Sequence, residues 1–156
     1  MSTLPIGAVS VPTRARVVMT DAPYVLDPIG WVESPLVDPS DAPKQGDEGA
    51  PDAWIVIDDT FRTAIDGLEA GTEALVLTFL DRADRGTLVV HPRDDPSNPV
   101  RGVFSTRSAD RPNPIGLHRV EILGIDGTRM HVCNLEAVDG TPVVDIKPVL
   151  GPADAR

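Results

Sequence analysis

The sequence contains a single cysteine, Cys133, among 156 residues. One cysteine excludes an internal disulfide framework and any zinc or iron–sulfur site built on several cysteines, so a reduced, cytoplasmic setting is expected. No apolar run approaches the roughly 20 residues that a membrane-spanning helix needs, and no membrane association is expected. Aromatic residues make up only 4% of the chain, so the core has to be built from valine, isoleucine, leucine and alanine.

Several motifs that mark common enzyme classes are also missing. No G-x-G-x-x-G or Walker-type loop is present, so a dinucleotide-binding or P-loop enzyme is not expected. The G-x-S-x-G sequence of hydrolase nucleophiles is absent as well. The three histidines, His91, His118 and His131, lack the paired spacing of metal ligands, so no metal site is predicted.

Proline and glycine are abundant, with 16 and 13 residues respectively. So many chain breakers favour short strands joined by turns over long helices. Alternating or fully apolar runs predict strands over residues 24–34, 54–57, 74–80, 87–91, 100–105, 118–125, 128–135 and 141–149. Between the sixth and seventh of these strands, Asp126-Gly127 predicts a two-residue hairpin turn.

One amphipathic helix is predicted between the second and third strands. Residues 58–60 offer N-cap candidates, apolar residues follow at helical spacing, and Gly71 stands where a C-terminal cap belongs. We therefore predict a mainly β protein, a small closed or nearly closed β-barrel with one packed α-helix and long loops. The barrel domain is expected over residues 27–156. Residues 1–26 lack the pattern of a secretory signal and are expected to form an N-terminal arm or an edge strand.

The formal net charge is −10 at pH 7. A uniformly acidic surface repels phosphate, so general nucleic-acid packaging is not expected. Residues 101–119 depart from this pattern, because they carry a local excess of positive charge against one acidic residue, Asp110. The cationic or titratable members of this basic segment are Arg101, Arg107, Arg111, His118 and Arg119.

Two segments concentrate polar residues and turn formers. In GVFSTRSADRPNPIGL, residues 102–117, prolines flank Asn113 and stiffen a turn that either frames a ligand or serves the architecture alone. NLEAVDGTPVVDIKP, residues 134–148, places Asp145 and Lys147 on one face of a strand. They form either a structural ion pair or part of a site, because a buried aspartate needs a partner.

The same two segments carry a resemblance to a known family. Together with PIGWVESP, PKQG and ALVLTFLDRA earlier in the chain, they occur in the order found in the TsaA/TrmO-like family, and the chain resembles that family over residues 27–150. The resemblance implies a small β-barrel that binds S-adenosyl-L-methionine and forms a homodimer with the cofactor near the subunit interface. The activity it implies is N6-methylation of N6-threonylcarbamoyladenosine at tRNA position 37.

The resemblance also implies which residues hold the cofactor. They are Pro43, Lys44, Gln45, Asp81, Arg82, Arg107, Leu117, Asp139, Gly140 and Thr141. Lys44 takes the place of an arginine in the family form used for comparison, and residues 81–82 replace a dipeptide that contains histidine. The long, breaker-rich loop over residues 38–52 is then expected to fold over the cofactor.

Methyl transfer to nitrogen requires an in-line approach and the loss of a proton. Asp139 and Asp145 are the candidate catalytic residues for accepting that proton. The methyl acceptor is either modified tRNA or a small molecule, the latter favoured by the acidic charge and by the end of the chain soon after the barrel. A third hypothesis is a non-catalytic S-adenosyl-L-methionine-binding barrel, suggested by the departures at position 44 and at positions 81–82.

Overall fold

The computed structural model describes residues 24–151. Within that range the strands are β1 (Gly30–Glu33), β2 (Ala53–Ile57), β3 (Glu73–Phe79), β4 (Val89–Val90), β5 (Arg101–Gly102), β6 (Ile115–Asp126), β7 (Arg129–Cys133) and β8 (Pro142–Pro148). Six of them form a closed barrel in the order β1–β2–β7–β6–β3–β8, with every neighbouring pair antiparallel. The predicted β-barrel is therefore confirmed. The predicted N-terminal arm falls almost entirely on residues 1–23, which lie outside the described residues.

The core follows from the alternation of side chains along each strand. Residues of one parity point into the barrel, and residues of the other parity point outward. The inward set is aliphatic, as the scarcity of aromatic residues predicts, and includes Val32, Ile55, Val76, Val120, Ile122, Met130, Val132 and Val143. Leu135 and Ala137, which follow β7, are also buried and belong to the same core cluster.

The hairpin between β6 and β7 is present, but its turn lies one residue later than predicted. Asp126 pairs with Arg129, so the two loop residues are Gly127 and Thr128. Gly127 has a φ of 61°, and glycine at the first loop position is typical of a type II′ turn. Asp126 is thus the last residue of the strand rather than part of the turn.

The predicted helix is present as a 3₁₀ helix over Asp59–Ile65, not as an α-helix. The side chain of Asp58 accepts a hydrogen bond from Thr60 N at 2.8 Å, as predicted for an N-cap. Phe61, Ile65 and Leu68 pack on the core. These apolar side chains hold the segment on the barrel, and a segment this short gains little from α-helix propagation. No helix within residues 24–151 is long and apolar enough to cross a membrane.

The strands predicted over residues 87–91 and 100–105 shrink to the two-residue strands β4 and β5, which pair with each other outside the barrel. A 3₁₀ turn over Val103–Ser105 takes up the rest of the second run. The buried Val103 ties this turn to the protein interior.

The barrel wall has an opening beside β6, because β6 is longer than its neighbour β7. β6 has twelve residues and β7 only five, so β7 pairs with β6 from Glu121 onwards. β3 pairs along the first half of β6 on its other side. On the β7 side of that first half, no strand lies within the described part of the chain. The chain leaves β7 at Asn134, whose φ is 64°, and crosses to β8.

Candidate functional site

A cavity of about 300 Å³ lies at this opening in the barrel wall. We call it the Gln45–Leu117 cavity. Its walls are Gln45, Gly46, Asp47, Glu73, Leu117, His118, Arg119, Asn134 and Glu136. The cavity therefore lies between the loop over residues 38–52, the exposed flank of β6 and the segment that follows β7.

Gly46 brings the loop into direct contact with the segment that follows β7. A Cβ atom built on Gly46 would lie 1.9 Å from the backbone oxygen of Asn134 and 3.0 Å from Glu136 Oε2. No side chain fits in that space, so glycine is required for the loop to approach this closely. The contact closes one side of the cavity and places Gln45 at its rim.

Two ion pairs fasten the same loop to the turn that follows β4. Lys44 pairs with Asp94, and Arg93 Nη2 lies 2.6 Å from Glu48 Oε1. The hydrogen bond and charge of Glu48 raise the pKa of Arg93. The breaker-rich loop is therefore held on two sides, by backbone packing at Gly46 and by these ion pairs.

The charges that line the cavity differ in how far they are neutralised. Arg119 binds Glu73 through two hydrogen bonds, Nη2 to Oε2 at 2.6 Å and Nε to Oε1 at 3.1 Å. The hydrogen bond from Arg119 lowers the pKa of the Glu73 carboxyl. Asp47 and Glu136 add two further carboxylates to the lining. Within residues 24–151, no group of acidic, histidine or cysteine side chains is arranged to hold a metal ion.

The flank of β6 also presents backbone groups to the cavity. Ile122 N donates to Thr72 O at 2.9 Å, on the β3 side. Because alternate residues of an antiparallel strand direct their N–H and C=O groups to opposite sides, Leu117 and Arg119 direct theirs away from β3. No strand lies there within the described chain, so these groups face the cavity as an exposed strand edge.

A chain of buried polar groups leads from the barrel interior to the cavity. Thr78 Oγ1 lies 2.7 Å from His118 Nε2, and His118 Nδ1 lies 2.8 Å from Glu136 Oε1. Thr78 and Glu136 were not predicted as site residues from the sequence, and His118 was interpreted as part of the basic segment and not as a metal ligand. The alternation of side chains along the strands could have indicated them. Thr78 and His118 occupy the inward-facing positions of β3 and β6, where polar residues are rare.

The structure divides the ten residues implied to hold the cofactor into two groups and one outlier. The first group is at the Gln45–Leu117 cavity, where Gln45 and Leu117 are both lining residues. Pro43 and Lys44 directly precede Gln45 in the same loop. Two regions far apart in the sequence therefore meet at one cavity.

The second group lies beside the end of β1. Its members are Asp81, Arg82, Asp139, Gly140 and Thr141. Arg82 Nη1 donates to Val37 O at 3.0 Å. Asp139 N donates to Leu36 O at 2.6 Å, and Asp139 Oδ1 accepts from Ser34 N at 3.0 Å. The segment after β1 therefore joins the two sequence regions of this group.

Arg107 is the outlier, and it is exposed. It makes no hydrogen bond or ion pair with the residues described in the structure. Arg111 instead has a structural role, because its guanidinium donates to the carbonyls of Val103, Thr106 and Ser108 at 2.6 to 3.0 Å. The basic segment thus contains both an arginine that holds the backbone together and one that is open to a ligand.

Asp145, the second candidate catalytic residue, lies 2.9 Å from Lys147 through its Oδ2 atom. Its Oδ1 atom accepts a hydrogen bond from Ile146 N at 2.9 Å. The ion pair considered in the sequence analysis is therefore present. Asp145 pairs with Leu77 across β8 and β3 and is not among the residues that line the cavity.

A second cavity, of about 390 Å³, lies beside the proline-rich turn. Arg85 holds this turn by donating to Pro112 O at 2.8 Å and to Asn113 Oδ1 at 3.2 Å. The residues that line this second cavity are Tyr24, Val25, Leu26, Pro28, Phe79, Arg85, Asn113, Pro142 and Val144. None of the ten implied cofactor residues is among them, so the Gln45–Leu117 cavity is the better candidate site.

Comparison with known proteins identifies relatives of similar length. The probable S-adenosyl-L-methionine-binding protein of Methanothermobacter thermautotrophicus is 44% identical over 130 residues, which cover 83% of this chain and 93% of that protein. The S-adenosyl-L-methionine-binding protein of Archaeoglobus fulgidus is 43% identical over 123 residues, which cover 79% of this chain and 87% of that protein.

A solved structure shares the fold and extends beyond it. The crystal structure of TrmO from Pseudomonas aeruginosa matches with a TM-score of 0.69 and 29% identity, over 86% of this chain and 60% of that one. The chain thus spans about 60% of the length of that TrmO. The family model for the tRNA-methyltransferase O N-terminal domain matches residues 31–155. The chain therefore belongs to the family of the tRNA-methyltransferase O N-terminal domain.

Proposed function

We propose that this chain binds S-adenosyl-L-methionine at the Gln45–Leu117 cavity and methylates N6-threonylcarbamoyladenosine at position 37 of tRNA. The observation that carries the proposal is the meeting of Gln45 and Leu117 at one cavity in a member of this family. The names of its archaeal relatives, which are S-adenosyl-L-methionine-binding proteins, support the choice of cofactor.

The residues present suit the chemical groups of this cofactor. The carboxylate of Asp47 favours a cation, and the cofactor carries a sulfonium and an ammonium group. The strand edge at Leu117 offers N–H and C=O groups that can form hydrogen bonds with the adenine base of the cofactor. Arg107 is open to a carboxylate. When bound, the cofactor supplies an electrophilic methyl group, so the main task of the protein is to position the acceptor.

Calorimetric titration with S-adenosyl-L-methionine tests the cofactor site. We expect Arg107→Ala to weaken binding at least about tenfold, which is about 1.4 kcal/mol, because a charge-assisted hydrogen bond is lost. Arg101→Ala is the matched control, since Arg101 is an exposed arginine of the same basic segment and is not implied in cofactor binding. Equal affinities of both variants and the wild type would remove Arg107 from the site.

Mass spectrometry of tRNA tests the acceptor. tRNA from cells that lack the gene should carry N6-threonylcarbamoyladenosine without the added methyl group, and the purified protein should restore that group in vitro. Unchanged tRNA in the deletion strain would contradict the tRNA assignment.

A small-molecule methyl acceptor is the second candidate. The net charge of −10 and the carboxylates at the cavity favour it, because both repel phosphate. Salt separates the two candidates: tRNA binding weakens steeply as salt rises, whereas binding of a neutral small molecule does not. If the chain binds the cofactor but methylates neither acceptor, the hypothesis of a non-catalytic S-adenosyl-L-methionine-binding barrel is the one that remains.

A homodimer is part of the proposal. The outer wall of β6 exposes Ile115 by 43% and Leu117 by 45%. Covering apolar side chains on the outer barrel wall with a second copy of the chain removes them from water, which favours dimerisation. Because Leu117 also lines the cavity, such a contact would bring the subunit interface next to the cofactor. Sedimentation velocity is the direct test, with a mass near 33 kDa expected, twice the 16.6 kDa of one chain.

A further inference from the structure

The buried polar chain ends at a carboxylate that faces the cavity. Thr78 is fully buried and His118 is 4% exposed, whereas the side chain of Glu136 is 20% exposed. Placing a histidine inside an aliphatic barrel is unfavourable unless both ring nitrogens are hydrogen-bonded. Here both are, one to a hydroxyl and the other to the carboxylate. The two hydrogen bonds of His118 therefore connect the buried Thr78 to the carboxylate of Glu136 at the cavity wall.

Two backbone features make this arrangement possible. A Cβ atom on Gly116 would lie 2.3 Å from Thr78 Oγ1 and 2.6 Å from His118 Nε2, so only glycine leaves room for the hydrogen bond between them. Asn134 adopts a positive φ of 64°, a conformation that non-glycine residues rarely adopt. This turn brings the chain back towards β6 and places Glu136 against His118.

Glu136 differs from the other carboxylates at the cavity. Glu73 is neutralised by the two hydrogen bonds from Arg119. Asp47 is exposed on the loop. Glu136 is half-buried, with Oε1 held by His118 and Oε2 on the side of Gly46 and the loop. Glu136 therefore has a fixed orientation, no arginine or lysine partner among the described residues, and one oxygen directed towards the loop that carries Gln45.

We propose that Glu136 is the catalytic proton acceptor, with His118 and Thr78 as its positioning residues; this inference rests on the function proposed above. As the acceptor nitrogen bonds to the methyl carbon, the S–C electron pair stays on sulfur. The N–H bond breaks, its electron pair stays on nitrogen, and the proton passes to Glu136 Oε2. A carbamoyl-bearing nitrogen needs such a base, because its lone pair is delocalised and becomes nucleophilic only as the proton leaves.

The positioning role follows from the donor and acceptor properties of a neutral imidazole. With the proton on Nδ1, a neutral His118 would donate to Glu136 Oε1 and accept at Nε2 from the hydroxyl of Thr78. These two bonds fix the ring, and the ring in turn fixes the carboxylate. Asp139 and Asp145, the candidates from the sequence, are engaged elsewhere, the first by Ser34 N and the second by Lys147.

Glu136→Gln tests the catalytic role, because it keeps the shape of the side chain and removes the charge. Single-turnover methylation of tRNA from the deletion strain should slow at least about 100-fold, the lower end of the range for a lost general base. Calorimetric affinity for S-adenosyl-L-methionine should stay within threefold of wild type. Asp52→Asn is the matched control, since it removes a carboxylate that faces a histidine, His131, on the outer surface. It should react at the wild-type rate.

Thr78→Val tests the positioning role. The exchange removes the hydroxyl and leaves the volume nearly unchanged. We expect ¹⁵N NMR to show a changed tautomer balance of His118 and the pH–rate profile to change, with cofactor affinity unchanged. The other titratable groups that line the cavity with Glu136 are Asp47, Glu73, His118 and Arg119, and the pH–rate profile of Glu73→Gln is the control for the loss of another cavity carboxylate. A wild-type pH–rate profile in Thr78→Val would overturn the positioning role.

The outcomes separate this inference from the proposed function. If the wild type binds the cofactor and methylates tRNA but Glu136→Gln reacts at the same rate, the inference is wrong and the proposed function stands. If Glu136→Gln loses cofactor affinity as strongly as rate, Glu136 is a cofactor ligand, which also overturns the inference. If the wild type neither binds the cofactor nor methylates tRNA, the proposed function fails, and the inference fails with it.

Discussion

At the scale of single residues, Gly116 is the position where an added methyl group has the most direct consequence. A Cβ there would lie within 2.6 Å of both Thr78 Oγ1 and His118 Nε2, inside the barrel. We expect Gly116→Ala to lower the free energy of unfolding by about 1–3 kcal/mol, as overpacking of a filled core does. Urea denaturation measures the change.

Gly102→Ala is the control for this substitution. A Cβ on Gly102 meets no atom within 4 Å, and the residue has an extended conformation with a φ of −63°. Its free energy of unfolding should stay within about 0.5 kcal/mol of wild type, as for most surface substitutions. If the two variants are equally stable, the interior around His118 is not filled in the way described.

The residues of the candidate site were predictable only in part. Gln45 and Leu117 followed from the resemblance, and the structure places both at one cavity. Glu136 did not follow, because a glutamate after a hairpin strand has no local feature that distinguishes it from a solvated side chain. Its position depends on the positive φ of Asn134 and on the contact with His118, which lies on another strand. Such long-range information is absent from a local pattern.

At the scale of elements, the loop over residues 38–52 depends on its ion pairs. We expect Glu48→Gln combined with Asp94→Asn to raise amide hydrogen exchange in this loop severalfold. The free energy of unfolding should change by less than about 1 kcal/mol, because exposed ion pairs contribute little to global stability. Asparagine at position 94 tolerates the positive φ of 57° found there, so the backbone need not change.

Asp59→Asn serves as the control for the loop variant. It removes an ion pair with Arg62 on the 3₁₀ helix, at a similar exposure. Exchange in the loop over residues 38–52 should then remain at the wild-type rate. A rise in exchange throughout the barrel of the double variant would show that the ion pairs stabilise the whole fold and not the loop.

The strands were predictable where periodicity was strong. The alternation of β6 and the apolar run of β3 each gave an element at the expected place. The runs that became β4 and β5 were overpredicted, because apolar residues such as Leu88, Val89 and Val100 are exposed and have no barrel neighbour. The short helix ends at Ile65 with Asp66 as its C-cap, before the predicted cap Gly71, and Gly67 follows with a positive φ of 90°.

At the scale of the whole molecule, the lengths of the strands explain both why the barrel closes and why its wall has a gap beside β6. Six strands close the barrel, and because β7 has five residues and β6 has twelve, a gap remains in the part of the wall that residues 24–151 form. The gap exposes a strand edge, which proteins normally cover. Here the loop fastened at Gly46 covers it incompletely and leaves the Gln45–Leu117 cavity. The candidate site is thus a consequence of strand length and not of an added domain.

The pH dependence of stability is also a property of the whole molecule. Hydrogen bonds from Ser40, Thr60 and Ser97 lower the pKa values of Asp38, Asp58 and Asp95, and Arg119 lowers that of Glu73. A carboxyl with a lowered pKa binds protons more weakly in the folded than in the unfolded state. Its stabilising effect is therefore complete above the ordinary pKa and is lost as the pH falls through the lowered value.

We expect the melting temperature to be highest near the isoelectric point of about 4.5 and to fall between about pH 4 and pH 2. From pH 7 towards 4.5 the repulsion among the negative charges weakens while the carboxylate hydrogen bonds remain, whereas below 4.5 both a growing positive charge and protonation destabilise the fold. Scanning calorimetry across this range measures the effect. Asp58→Asn should show a shallower acid decline than wild type, because asparagine caps the 3₁₀ helix without titrating. A melting temperature that does not change between pH 5 and pH 2 would contradict the assignment of these hydrogen bonds to the ionised carboxylates.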